Sequence, residues 1–102
     1  MHALPDFGLT SRAYSDLDRI ADYTQQKWGV TQAVKYIDSL VDCFQLLADA
    51  PNLGRTCDGV RPGLRRFEHE RHVVFYRQRL DGIRISRVLH QSRLPELVPF
   101  PR

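Results

Sequence analysis

Apolar residues recur along this chain with two different periods. In the first half Ala13, Leu17, Ile20, Ala21 and Trp28, with Thr24 among them, fall at steps of three and four, the spacing of one helix face. Asp18, Arg19, Asp22 and Gln25 fill the other side. Thr10 or Ser11 can cap this helix, because a hydroxyl accepts from the free amides of a first turn. Asp16 and Asp18 lie in its first half, where acids complement the helix dipole. Gly29 can take the left-handed conformation that ends a helix. A second stripe, Ala33, Ile37, Leu40, Val41, Phe44, Leu47 and Ala48, predicts another helix, capped by Thr31 and stopped at Pro51. With about two residues between them, the helices are expected to fold back as an antiparallel hairpin.

The period then changes. Residues 51–63 hold two Pro and three Gly and read as a loop. Three strands follow. Residues 64–68 form a short edge-like run, and residues 71–78 carry the β-branched and aromatic Val73-Val74-Phe75-Tyr76. Asp81-Gly82 signals a hairpin into the last strand, residues 83–90. Ile83 and Ile85 share a face there, and strict alternation puts Arg87 on it too. Either Arg87 is buried with a partner or a bulge shifts the register. Residues 7–10 make a short extended run ahead of the helices. The tail from Ser92, with Pro95, Pro99 and Pro101, reads as irregular or at most one helical turn. The expected fold is α+β, order β-α-α-β-β-β: a small antiparallel sheet with the helical hairpin on one face. No element is left for the other face, so an open, Arg-rich, aromatic sheet surface is expected as a partner site.

At 102 residues this is one domain, spanning 1–102, without room for a second catalytic lobe or a large barrel. Charge divides it as sharply as hydropathy. Residues 1–51 hold four basic and seven acidic side chains; residues 52–102 hold eleven arginines, no lysine, and five acids. Guanidinium forks suit carboxylates and phosphates, so the second half points to an acidic or polyanionic partner. Cys43 and Cys57 are too few for a disulfide framework, and no CxxC occurs. The opening Met1-His2-Ala3-Leu4-Pro5-Asp6 has neither the basic region nor the apolar core of a signal peptide. No apolar run approaches the roughly 18 residues of a membrane span. A cytoplasmic protein with no metal and no cofactor is expected.

Some side chains invite a chemical reading. Arg65, Arg66, His72, Tyr76, Arg87 and His90 fall on strands or at their ends, and that mixture could cleave RNA: arginines hold phosphate charge while two imidazoles move protons. The plainer expectation is that His72 and Tyr76 pack in a half-buried strand and that Arg87 ties the sheet to a helix. Trp28 reads as a core anchor. Cys43 reads as a partly buried small residue, and His69, in Glu68-His69-Glu70, as a solvated turn residue.

Taken in order, several segments resemble the ParE branch of the RelE/ParE toxin superfamily. They are Asp16-Leu17-Asp18-Arg19-Ile20-Ala21-Asp22-Tyr23-Thr24, Trp28-Gly29, Gln32-Ala33, Leu46-Leu47-Ala48 and Pro51-Asn52-Leu53-Gly54-Arg55. Cys57-Asp58, Arg61-Pro62-Gly63-Leu64-Arg65, His72-Val73-Val74-Phe75-Tyr76-Arg77 and Ile85-Ser86-Arg87-Val88-Leu89-His90-Gln91 complete the set. The resemblance implies a non-enzymatic toxin of a type II toxin–antitoxin pair. It would inhibit DNA gyrase and be neutralised by a ParD-like antitoxin, touching DNA only through that antitoxin. Arg65, Arg66, His72, Tyr76, Arg87, His90, Gln91 and Arg93 are the expected partner-binding residues. A RelE-like ribosome-dependent mRNA endonuclease and a non-toxic binding module are the alternatives. The chain departs from the pattern after the last strand, where Arg93 and Leu94 replace the Met-Asp common in the family.

Overall fold

The computed structural model describes residues 6–93. β1 (Asp6–Leu9) leads into α1 (Ser11–Trp28) and α2 (Val30–Asp49), followed by β2 (Arg55–Thr56), β3 (Leu64–His69), β4 (His72–Arg79) and β5 (Gly82–His90). The expected order therefore holds, with one two-residue strand added from the loop at 51–63. The five strands form one sheet in the order β1-β5-β4-β3-β2. It is antiparallel from β2 to β5, while β1 runs parallel to β5 along its edge. Expectations for residues 94–102 lie outside the described residues.

Local chemistry sets the helix ends. Thr10 caps α1, its Oγ1 accepting from the Ala13 amide at 3.1 Å. Gly29 alone joins the helices, at φ 93°, its amide donating to the Gln25 carbonyl at 2.8 Å. Because α2 starts one residue after α1 ends, Gly29 occupies its cap position and Thr31 lies inside the helix, without the capping role expected of it. Asp81-Gly82 also differs in detail. The turn is Leu80–Asp81, and Gly82, paired with Arg79, opens β5. A Cβ there would sit 1.8 Å from the Asp6 carbonyl oxygen, so this glycine serves the close approach of β1.

The main core lies between the hairpin and the sheet: Ile20, Leu40, Phe44 and Leu47 against Val74, Tyr76, Ile83, Ile85 and Val88. Cys43 takes the inward place in α2, and Val41 is exposed, off the stripe. Trp28 is 61 % exposed and no core anchor. It lies on the same stripe as Ile20 and Thr24, but in the last turn, beyond the last buried position of α1. The sheet's second face is not open. Leu64, Val73, Phe75 and Leu89 are buried there, with Cys57 and Val60 packed against them, and the Arg66 guanidinium lies 5.5 Å from the centre of the Phe75 ring.

Both readings of Arg87 hold. Phe75 pairs with Arg87 and Tyr76 with Ile85, so Ser86 is an extra residue and β5 bulges. Arg87 is 2 % exposed and gives Nε and Nη2 to the two oxygens of Asp16, each at 2.8 Å. Asp16 is therefore no mere dipole-complementing acid. It is itself 3 % exposed and also accepts from the Val88 amide at 2.9 Å and from Arg19 at 3.2 Å. These bonds fall where β1 has ended. Thr10 and Asp16 take over the edge of β5: Thr10 donates its amide to the Ile85 carbonyl and its hydroxyl to that of Ser86.

Replacing Asp16 with Ala takes the carboxylate from a buried guanidinium and the acceptor from a strand amide. We expect a loss of about 3–5 kcal/mol, the usual penalty for halving a buried ion pair. Arg19→Ala, which removes only the exposed member, should cost under about 1 kcal/mol. Urea unfolding of both variants checks this; equal losses would contradict the assignment.

Candidate functional site

The hairpin extends past the sheet where β4 begins and β5 ends, and a groove of about 670 Å³ opens there. Tyr23 and Trp28 of α1, 63 % and 61 % exposed, form one wall. Tyr36 of α2 and His72 and His90 of the sheet form the floor. Arg19, Arg71 and Arg93 place positive charge around it, against Glu70; Asp16, which also borders it, is spent on Arg87.

The floor is a cluster of aromatic rings in contact with one another. His72 and His90 are register partners, and their rings meet edge-on at 5.5 Å. The Tyr36 hydroxyl and Nδ1 of His72 share a hydrogen bond at 2.5 Å. Burial lowers the pKa of His72 to about 4, and the neighbouring His90 and His69 add to the effect. Burial, then the charge of Glu70, pushes the Tyr36 phenol up to about 12. His69 is not solvated as its sequence context suggests. It is 19 % exposed, bonded to Ser39 Oγ at 2.9 Å and packed 6.0 Å from the Tyr36 ring. The hairpin covers this end of the sheet, which the polar run around His69 does not reveal.

Of the eight expected partner-binding residues, His72, His90 and Arg93 line the groove. Gln91 is exposed beside it, its amide donating to the Arg71 carbonyl at 2.8 Å. Arg65 and Arg66 lie elsewhere. Arg65 donates to the Gly54 carbonyl at 2.6 Å, and Arg66 pairs with Glu68 at 3.2 Å. Tyr76 and Arg87 offer a partner no surface. Tyr76 is fully buried, its hydroxyl donating to the Pro51 carbonyl at 2.7 Å and accepting from the Gly54 amide at 2.9 Å. The RNA-cleaving set is therefore not assembled, since two of its six members are fixed in the core. Burial raises both thiols, Cys43 to about 11, leaving little reactive thiolate at neutral pH. Among the described residues no group of His, Cys, Asp and Glu is placed to hold a metal, and no helix is long and apolar enough to cross a membrane.

Sequence reasoning overlooked Tyr36, Arg19 and Arg71 and misplaced Trp28. A usable signal existed: Tyr23 and Trp28 continue an inward stripe that outruns the sheet.

Residues 8–95 match the family model described as the ParE toxin of the type II toxin–antitoxin system parDE. The chain is 42 % identical over 88 residues to toxin ParE1 of Caulobacter vibrioides, covering 84 % of this chain and 88 % of that one. It is 40 % identical over 84 residues to toxin ParE1 of Mycobacterium tuberculosis, covering 81 % and 86 %. Among solved structures, one described as the chromosomal ParDE system of P. aeruginosa superposes with a TM-score of 0.72 at 25 % identity, over 85 % of this chain and 96 % of that one.

The depressed His72 pKa makes a pH prediction. Above about pH 6.5 His72 is neutral folded or unfolded and contributes no slope. Between about 6.5 and 4 the unfolded chain takes up a proton that the folded one refuses, so stability falls as pH falls. Urea midpoints at pH 7 and pH 5 should diverge less in His72→Gln than in the parent. Parallel behaviour of the two would contradict the burial argument.

Proposed function

The chain belongs to the ParE toxin family of type II toxin–antitoxin systems, and from that premise we propose that it binds and inhibits DNA gyrase and is held inactive by a ParD-like antitoxin. The observation that supports the antitoxin half of this reading is the groove. Two large aromatic side chains stand exposed within a ring of arginines. That is the complement of an acidic amphipathic segment: its apolar side on Tyr23 and Trp28, its carboxylates toward Arg19, Arg71 and Arg93. The second face of the sheet fits such a segment less well, because its apolar residues are already covered.

The gyrase half rests on family membership and on what the site lacks as an enzyme. A gyrase inhibitor needs a surface, not a proton shuttle. His72, with its pKa near 4, is not an imidazolium acid at neutral pH, and Tyr76 and Arg87 are engaged in the core. The exposed end of β5, with Gln91 and Arg93, is the segment we assign to toxicity. A protein acting on gyrase works in the cytoplasm, where we place it.

Purified chain should stop gyrase supercoiling and leave mRNA intact in a translation extract. Cleaved mRNA, abolished by His90→Ala, would replace this reading with an endonuclease. Activity in neither assay, beside tight antitoxin binding, would leave a binding module. Trp28→Ala should weaken the antitoxin complex by at least about 30-fold, the effect of losing an aromatic hot spot worth about 2 kcal/mol. Arg93→Glu should weaken it more at low salt than at high, since rim charges are screened over about 10 Å at 0.1 M. Isothermal titration of each variant against the antitoxin checks both.

A further inference from the structure

The sheet face turned away from the helices carries more positive charge than its ion pairs balance. The pleat that places Leu64, Val73 and Phe75 on this face also places Arg66 of β3, Arg77 and Arg79 of β4, and Arg84 of β5 on it. Arg77 and Arg84 are direct register partners. Like charges opposite one another destabilise a sheet. The acids among the strand residues of this face are Glu68, already shared between Arg55 at 2.7 Å and Arg66 at 3.2 Å, and Asp6 at the start of β1. Arg77 gives Nη1 to a neutral acceptor, the Pro62 carbonyl. The Nε atoms of Arg66 and Arg77 are buried without a hydrogen-bond partner. Asp6 and Asp81 border a small cleft with Arg79 and Arg84, yet no ion pair joins them among the described residues.

The kind of partner follows from what accompanies the charge. Leu64, Val73, Phe75 and Leu89 are each at most 5 % exposed, so the face offers cations without an apolar anchor. A protein partner needs such an anchor. A phosphate backbone does not, and guanidinium forks match its oxygens. Single-stranded nucleic acid is held largely by stacking on exposed aromatic rings, and Phe75, the aromatic of this face, is covered. Strands about 4.8 Å apart set Arg77 and Arg84 side by side, with Arg66 and Arg79 one same-face position away in opposite directions along the strands. We propose that this face is a second binding surface, for the phosphate backbone of duplex DNA, gripped without base recognition. Its Arg77–Arg84 pair lies toward the Arg79 end of β4 and on the opposite face from the helices, and the groove lies at the His72 end, about 16 Å along the strand from Arg77 at the usual rise per residue. Both can be filled at once. The contact is direct, in addition to the indirect one through the antitoxin that the family resemblance implies.

Fluorescence anisotropy of the free chain with a labelled 20-base-pair duplex of arbitrary sequence tests this. Binding should be insensitive to sequence, and log K should fall with log salt with a slope of about −3 to −4, one counterion term per arginine. Arg77→Ala with Arg84→Ala should reduce the slope by about 2 and weaken binding at least 10-fold at low salt. Arg79→Ala, fully on the surface, should reduce it by about 1, and Lys35→Ala on α2 should change neither. The urea midpoint of the double variant should not drop, because cross-strand repulsion has been removed; a purely structural pair would lower it. Absence of duplex binding, or a slope unchanged in the double variant, would overturn the proposal. So would equal affinity for a polyglutamate peptide, or tenfold preference for the single strand; these would assign the face to an acidic protein or to unpaired nucleic acid.

Discussion

The carboxylate of Asp16 sits where two structural problems meet. β1 is too short to pair the whole of β5, and α1 must be fixed against the sheet beyond it. One side chain answers both, accepting from the Val88 amide and from the Arg87 guanidinium. A buried ion pair gains little by itself, because desolvating two charges opposes their attraction. It persists here because its polar atoms have good partners, and because removing either charge takes from the other its two-point partner. The pair also sets the rotation of α1. With Asp16 turned to the sheet, the same stripe two and three turns on presents Tyr23 and Trp28 to the groove. The geometry of the binding site is thus fixed by a contact on its inner border.

The molecule separates two kinds of surface along β4. At its His72 end, helices, imidazoles and exposed aromatics make a concave site in which burial keeps His72 and Tyr36 neutral at neutral pH. At its Arg79 end the second face is cationic, with its apolar side chains withdrawn. The first favours partners that bury apolar area and the second favours partners that neutralise charge. Such surfaces respond unequally to ionic strength, since salt weakens charge pairing and leaves apolar burial largely untouched.

How much of this was legible depends on how local each cause is. The hairpin was readable because periodicity, the Thr10 cap and Gly29 are all written within a few residues. The parallel pairing of β1 with β5 was not, since its partner lies more than seventy residues away. β2 is too short to show a period. The covering of the second face was readable but passed over: Val73-Val74-Phe75-Tyr76 does not alternate, and an unbroken apolar run is the mark of a strand buried on both sides. The site divided in the same way. His72, His90 and Arg93 were reachable from the strand ends, whereas Tyr36 meets them only through the fold, and Asp16 looks like any acid in the first half of a helix.

The bulge in β5 shows what decides the length of that strand. Without Ser86, Ile85 and Arg87 would be adjacent, and every register partner from His72 to Tyr76 would keep its place. Ile85, Val88 and His90 would still face the helices, and Leu89 the other side. Neither hydrophobic cluster requires the extra residue. What it supplies is freedom for Arg87, which in a regular strand would stand on the Phe75 side of the sheet, away from Asp16. A one-residue deletion that packing would tolerate would therefore leave the buried carboxylate with only the exposed Arg19 as its cation. In this strand the number of residues is dictated by electrostatics, and the packing has been fitted around it.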